Sequence, residues 1–142
     1  MILGWRELVL FPDISNTVLR AKVDTGARTS SLHVERQWRT IERGAPFVAF
    51  DIKPKRSSDL VVHGLLPFLD ERMVSDSGGH KLLRPFVSAA VEFGGVSRLI
   101  EINLADRKNM LFSMLLGRSA LSGFLVDGDR SFLHKATTRD QK

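Results

Sequence analysis

Apolar and basic residues alternate through Val18-Leu19-Arg20-Ala21-Lys22-Val23, the two-residue period of a strand with one buried face. Phe47-Val48-Ala49-Phe50-Asp51-Ile52 has a similar pattern and predicts a second strand. Residues 87–93 and 96–104 are apolar-rich runs separated by Gly94-Gly95, and paired glycines accept the positive φ that a tight primed turn requires, so a hairpin is expected. Met114-Leu115-Leu116 is an apolar strand stopped by Gly117, and Arg118-Ser119-Ala120-Leu121 is the best candidate for a short helix. Helical periodicity is otherwise scarce, so the chain is expected to be mainly β. Pro54 to Asp59 and Ser75 to Lys81, the latter with Gly78-Gly79, are expected loops, the second of them mobile.

A chain of 142 residues, 43% hydrophobic, accommodates one compact core burying roughly two-thirds of its unfolded surface. The expected organisation is one domain over residues 1–134 and a polar, frayed tail over 135–142. With no Cys, disulfides and thiolate metal sites are excluded, and a reducing compartment fits. Met1 to Trp5 is apolar, but Arg6 and Glu7 interrupt it before a signal-peptide core or membrane span is complete, so a cytoplasmic protein with no membrane partner is expected. The formal charge of +5, from 21 Lys and Arg against 16 acids, biases encounters toward anionic partners. The basic residues are scattered, and only two Trp and no Tyr are available for base stacking, so nucleic acid is not the expected partner.

The strand ending at Val23 runs directly into Asp24-Thr25-Gly26-Ala27, a carboxylate at a sharp turn where glycine permits close backbone approach. The distant Leu115-Leu116-Gly117-Arg118 belongs with it. On these two segments the sequence resembles the retropepsin family, in which an Asp-Thr-Gly-Ala loop and a later hydrophobic-hydrophobic-Gly-Arg segment wrap around each other below the active site. More narrowly, it is similar to bacterial proteins that bear the name ATP-dependent zinc protease and are regarded as retropepsin-like. The matching stretches are Gly4 through Glu7, Ala21 through His33, Ser77-Gly78, Arg84 through Val87, Asp106-Arg107 with Met110, and Leu115 through Leu121.

The resemblance implies a retropepsin-like closed β-barrel with one short helix, one lobe per chain, acting as an aspartic peptidase. Such catalysis uses two carboxylates sharing one proton, one activating water and the other donating a hydrogen bond to the substrate carbonyl. It further implies a homodimer that brings two Asp24 residues together, with Thr25 hydrogen-bonding across the interface and Gly26 allowing close approach. Ala27, Arg28, Ser77, Gly78 and Arg84 are the implied substrate-binding residues, and Leu116, Gly117 and Arg118 the support beneath the loop. Relatives of these bacterial proteins are associated with an ATP-grasp ligase that adds glutamates to a ribosomal protein, which implies a glutamate-rich peptide substrate and that ligase as a partner. No cofactor is implied.

Asp76-Ser77-Gly78 matches a variant of the aspartic motif, but no apolar strand leads into it, and a surface turn or a flap over the substrate is the expected role. Retroviral enzymes place a basic residue two positions after an early Trp and an acidic one two positions after the catalytic Gly. Here those positions hold Glu7 and Arg28, so an exchanged ion pair between them, within one chain or across subunits, is expected alongside the alternative of two solvated charges. The histidines at 33, 63, 80 and 134 form no His-Glu-x-x-His motif, and His33-x-Glu35, two side chains sharing a strand face, is a weak metal signature better read as structural polarity. No Gly-x-x-x-x-Gly-Lys loop is present for nucleotide. Two other functions stay open: a non-catalytic peptide-binding or regulatory module of this fold, and a zinc hydrolase using His33 or His80.

Overall fold

The alternation at Val18 to Val23 builds an edge between core and solvent: Leu19, Ala21 and Val23 are buried while Arg20 and Lys22 face outward. The computed structural model describes residues 1–55, 57–75, 78–106 and 112–134. Asp76, Ser77, Arg107 and Met110 of the sequence motifs, and the expected tail over 135–142, lie outside the described residues. In chain order the strands are β1 (Ile2–Gly4), β2 (Arg6–Phe11), β3 (Thr17–Val23), β4 (Ser30–Val34), β5 (Arg36–Glu42) and β6 (Ala45–Ile52). They continue as β7 (Val62–Ser75), β8 (Lys81–Phe93), β9 (Val96–Asp106), β10 (Met114–Leu116) and β11 (Leu125–Asp127). A single turn of 3-10 helix, Arg118–Ala120, is the one helix among the described residues.

Strands β2-β3-β10-β4-β9-β8 lie side by side in that order, and Leu10 of β2 pairs with Glu92 of β8, closing a six-stranded barrel. The fold is the mainly β closed barrel that the sequence leads one to expect. Its interior is filled by Val9, Leu19, Ala21, Leu32, Val87, Ala89, Ile102, Leu104, Met114 and Leu116, all essentially inaccessible. Strands β7, β6 and β5 continue antiparallel from β8 as an extension that ends in β5. No helix among the described residues is long and apolar enough to cross a membrane.

The β8–β9 hairpin turns where the paired glycines predict it, with Phe93 opposite Val96 and both Gly94 (φ 58) and Gly95 (φ 79) left-handed. Strand β7 has no counterpart in the sequence reading, because Pro67 and the charged run Asp70-Glu71-Arg72 break the apolar alternation. The structure accommodates it with a register shift between Phe68 and Asp70. Ser75 pairs with Lys81 at the end of the β7–β8 hairpin, and Gly78 lies in a turn.

The chain ends are fastened to each other. Strand β1 pairs in parallel with β11, Trp5 N–H donates to the Arg130 carbonyl (2.8 Å), and Phe132 N–H donates to the Arg6 carbonyl (2.8 Å). Glu7 sits at the centre of this junction, wholly buried, accepting backbone N–H bonds from Gly4 (2.7 Å), Leu133 (3.1 Å) and His134 (3.3 Å). The expected Glu7–Arg28 pair does not form: a carboxylate sealed inside the protomer and occupied by three amides cannot reach an exposed guanidinium. Glu7→Ala leaves those amides buried without an acceptor and should lower the unfolding free energy by about 2–4 kcal/mol. Urea denaturation of the variant checks this, with Glu7→Gln, which keeps one acceptor oxygen, losing less.

Candidate active site

Asp24 leaves the end of β3 at a backbone crossing. Strand β10 runs parallel to β3, with Leu115 opposite Lys22 and Leu116 opposite Val23, and the pairing extends one step further as Asp24 N–H donates to the Leu116 carbonyl at 2.8 Å. The chain then loops over β10 and returns as β4 on its other side, with Leu115 opposite Ser31. Arg118 N–H donates to the Ala27 carbonyl (2.8 Å) and Ser119 N–H to the Arg28 carbonyl (3.1 Å). The loop of residues 24–29 is therefore sewn to the segment 116–119 on both sides.

Gly117 occupies the tightest point. A Cβ there would overlap the backbone of Thr29, and the Gly117 N–H donates to the buried Ser30 hydroxyl at 3.0 Å. Within the loop, the Asp24 carboxylate accepts the Gly26 N–H (2.9 Å) and Ala27 N–H donates to the Asp24 carbonyl (3.3 Å). Arg118 Nη1 donates to the Thr25 carbonyl at 3.3 Å. Asp24 and Ala27 are half-buried, whereas Thr25, Gly26 and Arg28 are exposed. Arg28 forms no ion pair with Asp24 among the described residues. One oriented carboxylate, half open to solvent and with one lone pair held by an amide, can accept a hydrogen bond from water or, when protonated, donate one to a carbonyl oxygen; a shared-proton mechanism requires a second such group.

The structure brings Asp24, Thr25, Gly26, Ala27 and Arg28 together with Leu116, Gly117 and Arg118 in this crossing. It places Gly78 and Arg84 apart from them, on the β7–β8 hairpin, and Ser77 falls outside the described residues. Arg84 is half-buried and its Nη1 donates to Asn103 Oδ1 (3.1 Å). Asn103, wholly buried, also accepts from the Ser31 hydroxyl (3.0 Å) and donates through Nδ2 to the Ser30 carbonyl (2.9 Å) and Thr29 Oγ1 (3.3 Å). Sequence reasoning passed over Asn103. The available signal was a polar residue flanked by Ile102 and Leu104 inside a strand, a position that is buried and must be hydrogen-bonded.

The histidines are dispersed. His33 is buried on β4 with Nδ1 against the Phe112 carbonyl, while Glu35 lies beyond the end of that strand and points to solvent, so the two do not share a face. His134 Nε2 faces the Ile2 carbonyl, and no group of three or more His, Asp or Glu able to hold a metal occurs among the described residues. His63 instead joins Asp51, which also accepts a 2.6 Å bond from Arg36 Nε. Burial pushes the Asp51 carboxyl upward, but its hydrogen bonds to Arg36 and His63 and their charges outweigh that, holding it below the usual carboxylate range.

A scan against family models matches residues 2–137 to the RimB-like family, described as retropepsin-like aspartic endopeptidase RimB. With the barrel and the Asp24 crossing this defines the class: the chain belongs to the RimB-like family of retropepsin-like aspartic endopeptidases. It is similar to a protein of Shewanella pealeana named "Probable alpha-L-glutamate ligase", 33% identical over 133 residues that cover 92% of this chain and 29% of that one. A protein of the same name from Desulfotalea psychrophila is 33% identical over 127 residues, covering 88% of this chain and 27% of that one. The chain thus spans less than a third of the length of these curated relatives. Among solved structures it is similar to the crystal structure of Lpg0085 from Legionella pneumophila, a protein of unknown function, with a TM-score of 0.80 and 29% identity over 94% of this chain and 98% of that one.

Two outcomes follow from the geometry. Gly117→Ala forces the crossing apart and should destabilise the fold by about 1–3 kcal/mol or more, read as a lower denaturation midpoint, because backbone rather than a flexible side chain opposes the added methyl. Since the Asp51 pKa is lower folded than unfolded, its stabilisation is complete above the unfolded value near about 4 and is lost as pH falls through the folded value. Asp51→Asn should therefore be less stable than the native protein at neutral pH and lose less stability on acidification, as denaturation curves between neutral and strongly acidic pH will report.

Proposed function

We propose that the chain is an aspartic endopeptidase-like hydrolase whose active site is completed by a second copy of itself. The observation that supports this is the Asp24 loop: a half-open carboxylate oriented by the Gly26 amide and anchored to Gly117 and Arg118, in a chain of an aspartic endopeptidase family. Each loop contributes one carboxylate, and the dyad needs two at close range, so a homodimer with facing Asp24 residues is the simplest assembly that makes the site whole. Exposed Thr25 and Gly26 are available for contact across that axis.

The proposed substrate is a glutamate-rich or acidic peptide. The surplus of basic residues favours such a peptide, and the chain resembles part of proteins named for alpha-L-glutamate ligation. An ATP-grasp glutamate ligase is the proposed partner on the same ground, with both acting in the cytoplasm.

A second reading is a binding module that holds such a peptide without turnover. It is favoured by the proportions of the relatives, in which the matching stretch is 29% of a longer chain named as a ligase.

The test is cleavage of a glutamate-tailed peptide, followed by mass spectrometry, with native protein, with Asp24→Asn, and with native protein after chelation. The peptidase reading expects Asp24→Asn to lower the rate by about 10²–10⁴-fold. It also expects activity per chain to rise with protein concentration, and chelation to have no effect. Loss on chelation alone would move the chemistry to a metal, and peptide binding with no cleavage by either protein would leave the binding module.

A further inference from the structure

Arg84 has an unusual setting for a half-buried cation. Its cross-strand partner in the β7–β8 register is Arg72, whose guanidinium is held by Asp70 (2.8 Å) and Glu101 (2.8 Å) and lies over the Phe86 ring at 4.3 Å. Arg84, by contrast, makes one side-chain hydrogen bond, to a neutral amide, and no ion pair among the described residues. Two adjacent arginines share a hairpin; the carboxylates that are present go to one of them.

The amide that holds Arg84 cannot be turned around. Asn103 Nδ2 faces the Ser30 carbonyl, which only accepts, so Oδ1 necessarily faces Arg84 and the Ser31 hydroxyl. Asn103 thus joins the flap-side hairpin to Thr29, Ser30 and Ser31, which follow directly on the Asp24 loop.

Strand register places these groups on the face that bears Asp24. Lys22, Leu115, Ser31, Asn103 and Phe86 form one continuous cross-strand row. Asp24 lies two residues beyond Lys22 and Arg84 two residues before Phe86, so strand alternation puts all of them on the side turned away from the barrel interior. Asp24 lies in the row on one side of it and Arg84 in the row on the other, each about 6–7 Å away, the spacing between same-side residues of an extended peptide. A peptide laid across this face with its reacting bond at Asp24 runs over the half-buried Leu115 and the buried Ser31 and brings a side chain further along it to the half-buried Arg84.

We propose that this stripe is a substrate subsite for a carboxylate side chain, with Arg84 as the group that binds it and Asn103 as the residue that positions Arg84. A guanidinium partly removed from water and matched, among the described residues, by one neutral oxygen keeps most of its donors for an anion, and its planar fork suits a carboxylate gripped by two bonds. The proposal rests on the function above only for where the peptide lies, and it specifies what that function leaves open, namely which residue reads the substrate's acid.

Binding by the full-length Asp24→Asn protein tests it without turnover. The probe is a fluorescently labelled tetraglutamate peptide, compared by anisotropy with the four peptides in which one glutamate is replaced by glutamine. One of the four replacements should weaken binding by about tenfold to a hundredfold, the worth of a hydrogen bond to a charged group. Adding Arg84→Gln should bring that ratio close to one, and Arg84→Lys, which keeps charge but not the fork, should leave an intermediate ratio. Asn103→Ala should lower the ratio too, an effect that loss of stability alone does not produce because both peptides meet the same folded protein. A ratio unchanged by Arg84→Gln, or no discrimination at any position, overturns the subsite. If discrimination depends on Arg84 while the native protein cleaves nothing, the subsite stands and the peptidase reading falls.

Discussion

The molecule turns on one backbone contact, the passage of residues 24–30 around Gly117. Two segments about ninety residues apart in sequence meet there, and amides of Asp24, Arg118 and Ser119 are satisfied by backbone carbonyls across the junction and that of Gly117 by the Ser30 hydroxyl. Such a contact requires glycine on one side and continuous strands leading in on the other, because buried amides without partners would cost more than the crossing gains. The parallel pairing of β3 with β10 and the antiparallel return of β4 both follow from it. So does the position of Asp24, which is left at the rim with its carboxylate held by Gly26 and its face open.

Around that fixed point the barrel divides its polar residues by task. Glu7 is buried for structure, gathering three amides from both chain ends, and Asp51 is buried against Arg36 and His63 on the outlying β5–β7 extension. Asn103 belongs to neither group. It links the strand after the Asp24 loop to the β7–β8 hairpin through a side chain with every hydrogen-bonding direction committed, which makes the spacing between loop and hairpin a property of the fold.

Much of this was legible in the linear sequence. The alternation in β3, the glycine pair between β8 and β9, and the glycine stop after β10 each state a local rule of strand geometry, and the structure obeys all three. The Asp-Thr-Gly-Ala and Leu-Leu-Gly-Arg segments together identified the family, because their combination encodes the crossing itself. Strand β7 was hidden by Pro67 and a charged run, which a register shift absorbs only once β6 and β8 lie on either side.

Local pattern, then, determined where strands run, where they turn, and which carboxylate sits at a strand end, since each depends on residues a few positions apart. The tertiary structure alone decided that Glu7 faces inward to backbone amides and not outward to Arg28, that Arg72 takes Asp70 and Glu101 while Arg84 takes no acid among the described residues, and that Asn103 stands between the β7–β8 hairpin and the residues after the Asp24 loop. Those outcomes are set by which distant groups the fold brings within hydrogen-bond reach of a buried or half-buried polar group. Burial raises the cost of leaving any such charge unmatched, but it does not name the partner, and only the packed chain supplies one.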